Sequence, residues 1–416
     1  MIDFVENKEY EKAHLEFYEK LFEFKRMIRE EKTTTIDSKL PNYVRKYLPN
    51  SIYCKVLSIF AAEVLQKMKF YKEANEIFEF LLFQQDLYLL DSRHHWYERL
   101  AINYEAHLKD PYRAMEILEI GLKDKTNVRK AGRLSLFQRA LKMSQIKRYA
   151  KIEDLTERLK KICENEFYSI EEAPIVTIEA NLLQSDILPG RKTIFVQNSS
   201  QLHSNEKNLE ICSVEQIALS YYLKNGFTNG KHGETSSIMI IFGLLFFEII
   251  FDSSVPNVFI DKFQTVPLDL NTDYFYLNRK EAIDARVKEL RENDIHYVID
   301  LVESVWNKYD GVQCSLVNWN LFENLEEFKG LLLCFTSETI ASLCEYIAQN
   351  YRYCRSGGPD LLIWSKNTND VKFVEVKGPG DKLSYKQIVW LDLLHRITIS
   401  CEVCYVKGTC SKRLRD

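Results

Sequence analysis

Pro359-Asp360-Leu361-Leu362-Ile363-Trp364 and, after a polar turn, Lys372-Phe373-Val374-Glu375-Val376-Lys377-Gly378-Pro379-Gly380-Asp381 form the stretch on which the reading of this chain turns. Two short apolar runs separated by a polar turn predict adjacent β-strands. Asp360 opens the first strand. Glu375 and Lys377 stand two apart on the second, so both face one side of the sheet. Across a strand pair, facing side chains sit about 5 Å apart, which brings Asp360 within reach of Glu375. Val376 points the other way into the core and leaves its carbonyl as a further candidate metal ligand. Paired carboxylates suit a hard divalent cation, which can activate water and stabilise charge on a phosphorane-like transition state. A lysine beside them can orient that water or neutralise the charge. Glu-Val-Lys alone is a common phrase on exposed strands, so its weight comes from the flanks.

Downstream lies Leu383-Ser384-Tyr385-Lys386-Gln387, followed by Trp390, Leu391 and Leu394 on one helical face. Ser384 and Gln387 fit a capping box, so Gln387 reads equally as a helix cap or as a contact to the site. Lys386 falls in the first turn, where a cation opposes the helix dipole. A helix N-terminus with a lysine is, however, a good phosphate site.

The remainder of the chain sets the context. At 416 residues there is room for two or three domains with cores of their own. Hydrophobic content of 46% with 28% charged residues is ordinary for a globular protein, while only 14 Gly and 9 Pro point to a largely helical body. Cys401 and Cys404 are three apart on a predicted strand, Ile399 to Val406, and so face opposite sides. They read as free thiols rather than a metal or redox pair. The first residues carry acid where a secretory signal has a basic region. The apolar run from Ile238 to Phe251 spans 14 residues and includes Glu248, too short and too polar for a bilayer; it predicts a buried helix. Net charge is −4, yet Arg129 to Lys151 holds eight basic residues and no acid. That run is either a solvated helix face or a surface that tracks phosphates.

Residues 40–166 read as successive helices. Leu57 to Leu65 and Tyr71 to Phe78 form one pair, and Tyr112-Arg113-Ala114-Met115-Glu116-Ile117-Leu118 repeats the second phrase after a start at Asp110-Pro111. The spacing of Ala74 and Ala114 is not the strict tetratricopeptide period, so the array is irregular. Strand-like runs follow at Pro174–Ile178 and Lys192–Val196, with a turn at Pro189-Gly190. A helix from Ser213 to Gly226 comes next.

Gly357-Gly358-Pro359-Asp360, the Val374-to-Leu391 stretch and the closing Glu402-Val403-Cys404 resemble a VRR-NUC nuclease domain of the PD-(D/E)xK superfamily. With Ser315 to Trp319, Pro267 to Leu270, Phe242 to Leu245, His232-Gly233-Glu234, Arg133 to Ala140 and Asp91-Ser92-Arg93, the resemblance extends to the Fanconi-associated nuclease family over residues 40–408. It implies a tetratricopeptide-like α-helical array (40–166, after a remnant helical segment at 1–39) followed by an α/β restriction-endonuclease-like domain (167–416). The implied activity is a structure-specific DNA nuclease, cutting 5′ flaps and trimming from a 5′ end in interstrand crosslink repair, in the nucleus. The implied partners are branched or flapped DNA and, through the array, DNA-repair proteins. Two Mg²⁺ or Mn²⁺ ions would be held by Glu234, Asp360, Glu375 and the Val376 carbonyl, with Lys377 and Gln387 beside them. Without the resemblance, Glu234 reads as an acid favoured by a helix start. Arg352 and Lys386 match positions of a pocket for the DNA 5′ phosphate, to which the array here offers His95 and Gly132 in place of basic residues. The family's ubiquitin-binding zinc finger and most of its SAP region are not matched, so ubiquitin binding is not expected. A non-cleaving scaffold and a minimal VRR-NUC junction resolvase remain the alternative readings.

Overall fold

The computed structural model describes residues 2–30, 41, 44, 49–83, 89, 92–149, 153–164, 170–182, 195–198 and 209–409. The chain divides into two compact units, 1–169 and 170–416.

The first unit is helical. In chain order it contains α1 (Ile2–Glu6), α2 (Tyr10–Tyr18), α3 (Leu21–Glu30), α4 (Pro49–Ile59), α5 (Tyr71–Leu82), α6 (Arg93–Ile102), α7 (Pro111–Lys123), α8 (Lys130–Ser144) and α9 (Glu153–Glu164). The repeated phrase has a structural counterpart. α4 and α6 each widen into a π-helical segment, Phe60–Leu65 and Asn103–His107. Each segment is followed by a lysine in the left-handed region, Lys69 at φ 65° and Lys109 at φ 61°. Ala74 and Ala114 are fully buried in the core between these helices, where a larger side chain would hold the helices apart. Asp110 caps α7 by accepting from the Arg113 N–H at 3.0 Å, with Pro111 at the first helical position.

Residues 1–39, read from the sequence as a segment apart, supply Ala13 and Ile28 to this same core. Phe17 and Phe24 bring their rings to within 6.2 Å of Phe60 and 5.3 Å of Tyr53 respectively. Several arginines of the array are engaged internally. Arg139 and Arg148 turn onto Glu105 at 2.5 and 3.7 Å. Arg93 is buried, donating to the Leu82 carbonyl and to Asp124, both at 3.1 Å.

The second unit is built on a sheet. Its elements are β1 (Ile175–Leu182), β2 (Phe195–Asn198), β3 (Leu209–Cys212), α10 (Val214–Lys224), β4 (Asn229–His232), α11 (Ser236–Leu245), α12 (Phe247–Ile250), α13 (Tyr274–Asn278), α14 (Lys280–Glu292), α15 (Ile295–Tyr309), α16 (Leu325–Leu332), α17 (Ser337–Cys354), β5 (Leu361–Ser365), β6 (Asp370–Lys377), α18 (Tyr385–Arg396) and β7 (Cys401–Thr409). Among the described residues the strands form one sheet, ordered β3-β2-β1-β7-β6-β5-β4. Its centre, β1-β7-β6, is parallel, and both flanks are antiparallel. The Pro189-Gly190 turn lies outside the described residues.

Alternation along the strands sorts side chains to two layers. Leu362, Trp364, Phe373, Cys401 and Val403 join the core with α11 to α18. Leu361, Ile363, Val374, Val376 and Cys404 pack with Ile217, Ala218 and Tyr222 of α10 on the opposite face. Cys401 and Cys404 thus lie on opposite faces, and both thiols are free and buried. The apolar run expected as one helix from Ile238 is two, α11 and α12, broken at Phe246. Carbonyls exposed near the break find arginine donors: Arg286 reaches the Leu245 oxygen at 2.5 Å and Arg279 the Ile249 oxygen at 3.0 Å. Among the described residues no single helix is long and apolar enough to cross a membrane.

Arg279 also pairs with Asp269 at 2.6 Å, and both side chains are almost wholly buried. Removing one partner strands the other charge in the core. Asp269→Ala therefore costs the second unit about 3–5 kcal/mol. The check is the urea midpoint followed by tryptophan fluorescence, since Trp306, Trp319, Trp364 and Trp390 all lie in this unit. A loss under about 1 kcal/mol, the range of exposed pairs, would contradict the assigned burial.

Candidate active site

Three short segments deliver the chemistry-bearing side chains to one end of the sheet. Asp360 lies just ahead of β5, Glu375 and Lys377 are on β6, and His232 closes β4 with Gly233 and Glu234 directly after it. Strand parity sets the face: Asp360 shares that of Leu362, and Glu375 and Lys377 share that of Phe373, so all three look toward the α11–α18 layer. Antiparallel pairing of His232 with Leu361 brings the end of β4 against Asp360. There the Gly233 and Glu234 N–H groups both donate to the Asp360 carbonyl at 3.2 Å.

Glu375 is completely buried. Its Oε1 accepts from Lys377 Nζ at 2.6 Å and from Gln387 Nε2 at 2.5 Å. Its Oε2 is buried with no hydrogen-bond partner. Burial, and then the neighbouring Asp360 charge, push the Glu375 carboxyl up to about 8, against the pull of Lys377. Burial also raises the Asp360 carboxyl, offset by the Val376 N–H and by Lys377. That N–H donates to Asp360 Oδ2 at 2.7 Å. The Val376 side chain packs in the opposite layer.

Glu234 adopts φ 47°, a left-handed conformation that an ordinary L-residue adopts at a cost. The preceding Gly233 is tightly packed: a methyl group there would come within 2.2 Å of Ser237 Oγ and force that side chain to shift. The result is convergence. Ligand atoms of His232, Glu234 and Asp360 all lie within 4.8 Å of one another. His232 was not among the residues picked out from the sequence, although it stands in the same His-Gly-Glu phrase as Glu234. Glu375 is outside that tight group. An orphaned, buried carboxylate oxygen is expensive, and a divalent cation is a natural partner for it. The residues present therefore fit a metal: three carboxylates of the oxygen type that hard cations take, and one imidazole.

The ambiguity at Gln387 resolves into both alternatives. Its Oε1 and N–H complete the capping box with Ser384, while its Nε2 reaches Glu375. Lys386 donates to Ser356 Oγ at 3.0 Å, and the Arg352 guanidinium lies 5.6 Å from the Tyr353 ring centre. The two basic residues thus flank the turn 355–358, which leads directly into Asp360. Gly357 in this turn has φ 83°, and a side chain there would strike Lys386. The Gly358 N–H donates to Thr235 Oγ1 at 3.1 Å, fastening the turn to the residue after Glu234. In the helical unit, His95 is exposed and lies 3.9 Å from Glu98. Gly132 lies against His94, 2.6 Å from where a methyl would sit.

Comparison with known proteins adds the family context. Residues 3–144 match the family model of the Fanconi-associated nuclease 1 TPR domain, and residues 296–408 that of the VRR-NUC domain. The chain is 37% identical to Fanconi-associated nuclease 1 of Danio rerio over 379 residues, covering 90% of this chain and 37% of that protein. It is 35% identical to the Homo sapiens protein over 376 residues, covering 90% and 35%. The chain thus spans a little over a third of the length of these curated relatives. The crystal structure of paFAN1 bound to 2nt 5′flap DNA with gap aligns with a TM-score of 0.64 at 19% identity, covering 96% of this chain and 63% of that one. At that identity the likeness is one of fold.

The raised Glu375 carboxyl gives a pH dependence of definite sign. It must lose its proton to take a cation, so Mn²⁺ affinity weakens as pH falls below about 8 and levels off above it. One proton released per ion gives about a tenfold change per pH unit on the sloping limb. Isothermal titration of Mn²⁺ across this range checks it; Glu375→Gln should flatten the profile, and an equally steep slope in that variant would assign the proton elsewhere.

Proposed function

The chain belongs to the Fanconi-associated nuclease family, and on that premise we propose that it is a metal-dependent, structure-specific DNA nuclease. It cuts 5′ flaps and trims from the 5′ end. The observation that carries the reading is the unpartnered Oε2 of buried Glu375 beside Asp360 and Lys377. A scaffold has no use for a carboxylate held at that cost.

Glu234, Asp360, Glu375 and the Val376 carbonyl would hold two divalent ions, Mg²⁺ or Mn²⁺. Bound there, such ions supply an activated water and stabilise charge on the phosphoryl oxygens. Lys377 contributes N–H donors; from its place on Glu375 Oε1 it orients the attacking water and neutralises charge developing on the phosphate. Gln387 fixes the rotamer of Glu375 from the first turn of α18. The α18 N-terminus, Lys386 and Arg352 bind the 5′ phosphate of the substrate. Lys386 remains oriented by Ser356, and the glycines of the turn let the backbone approach closely. The helical array contacts duplex DNA through those basic residues of 129–151 not taken up by Glu105, and docks DNA-repair proteins. The setting is interstrand crosslink repair in the nucleus.

A 5′-flap duplex, with and without a 5′ phosphate, tests this. With Mn²⁺ the purified chain cleaves it, and Asp360→Ala loses at least about a hundredfold in rate while retaining DNA binding in EDTA. Lys386→Ala raises KM for the phosphorylated flap with little change in kcat, the signature of lost ground-state binding. Binding without cleavage by the unaltered chain, or equal cleavage by Asp360→Ala, would overturn the reading.

A further inference from the structure

The carboxylates do not converge alone. His232 ends β4, its backbone fixed in register opposite Leu361, and its imidazole shares the 4.8 Å cluster with Glu234 and Asp360. A second and independent sign of a cation is the fully buried Glu375, whose unpartnered Oε2 belongs to the residue next to the Val376 N–H that holds Asp360. Gly233 between His232 and Glu234 packs so closely on Ser237 that an added methyl would lie 2.2 Å from the Ser237 Oγ. Glu234 itself stands in the left-handed region at φ 47°.

We propose that His232 is a metal ligand, completing a mixed nitrogen–oxygen site with Glu234 and Asp360 that selects Mn²⁺ over Mg²⁺. The inference rests on the metal-dependent nuclease reading and extends it to the identity of the ion. Mg²⁺ is a hard cation that keeps its waters and takes oxygen ligands. Imidazole is a better ligand for transition-metal ions. An all-carboxylate cluster would discriminate weakly between the two; replacing one oxygen donor with a ring nitrogen shifts the preference toward Mn²⁺. The exposed position of His232 leaves the remaining coordination positions open to water and to a substrate phosphate.

Pulsed electron paramagnetic resonance on the whole chain loaded with Mn²⁺ reads this directly, since a coordinated imidazole imprints ¹⁴N modulation on the Mn²⁺ echo. Asp360→Asn identifies which bound Mn²⁺ belongs to the cluster. The expected result is Asp360-dependent ¹⁴N modulation that disappears in His232→Asn. In that variant Mn²⁺ affinity falls by about tenfold or more, the scale of altering a metal's ligand environment, while Mg²⁺ affinity changes far less. Asp360-dependent Mn²⁺ binding without ¹⁴N modulation, or modulation that survives in His232→Asn, overturns the role of His232 and leaves the nuclease reading standing. Absence of any Asp360-dependent Mn²⁺ overturns both.

Discussion

A carboxyl group can be held inside a protein only if its charge is shared or given up to a proton, and the burial of Glu375 imposes that condition on everything around it. One oxygen is shared between Lys377 and Gln387. The other is left without a partner, beside a second carboxylate that burial also makes reluctant to ionise. The sheet enforces the arrangement. β6 is flanked by β7 on one side and β5 on the other, so the register of the sheet holds Glu375 on the inner face, beside Asp360. The strain at Glu234, the glycine before it and the fastening of Gly358 to Thr235 serve the same end. They bring a loop from the edge strand into contact with the centre.

The helical unit shows how differently charge is used elsewhere. From the sequence its basic stretch reads either as a solvated helix face or as a surface that tracks phosphates. In the folded unit Glu105 takes up Arg139 and Arg148 of that stretch, as Asp124 takes up Arg93 earlier in the array. These acids lie far away in sequence from most of their partners, so a run without acid is not a run without counter-charge. Any phosphate-binding surface there is smaller than the count of basic residues suggests. His95 and Gly132 likewise acquire local explanations, one beside Glu98 and the other a close contact with His94.

Much of the fold was legible because it is written in short periods. The short apolar runs at 361–364 and 372–377 give both strands, and strand parity gives the face on which Asp360, Glu375 and Lys377 meet. The helix starts at Asp110-Pro111, Ser213 and Ser384 are local hydrogen-bond patterns, and each is present. The opposite faces of Cys401 and Cys404 follow from the same parity. Less was legible where the partner is remote. The break at Phe246 is accommodated by arginines from α14 and its approach, and the aromatic contacts that tie the first 30 residues to the array come from rings dozens of residues on.

The sequence by itself determined that Asp360, Glu375 and Lys377 share one face of a strand pair, and family resemblance pointed to Glu234 and to the order of the two units. The first depends on residue type and on spacing within a few positions, which a chain cannot hide. Only the tertiary structure decided that Gln387 both caps α18 and braces Glu375, that Oε2 of Glu375 stands unpartnered, and that His232 joins the carboxylates. Each is a matter of distance between segments far apart in the chain. Such distances are fixed by sheet order and by how the layers pack, and no local pattern encodes them.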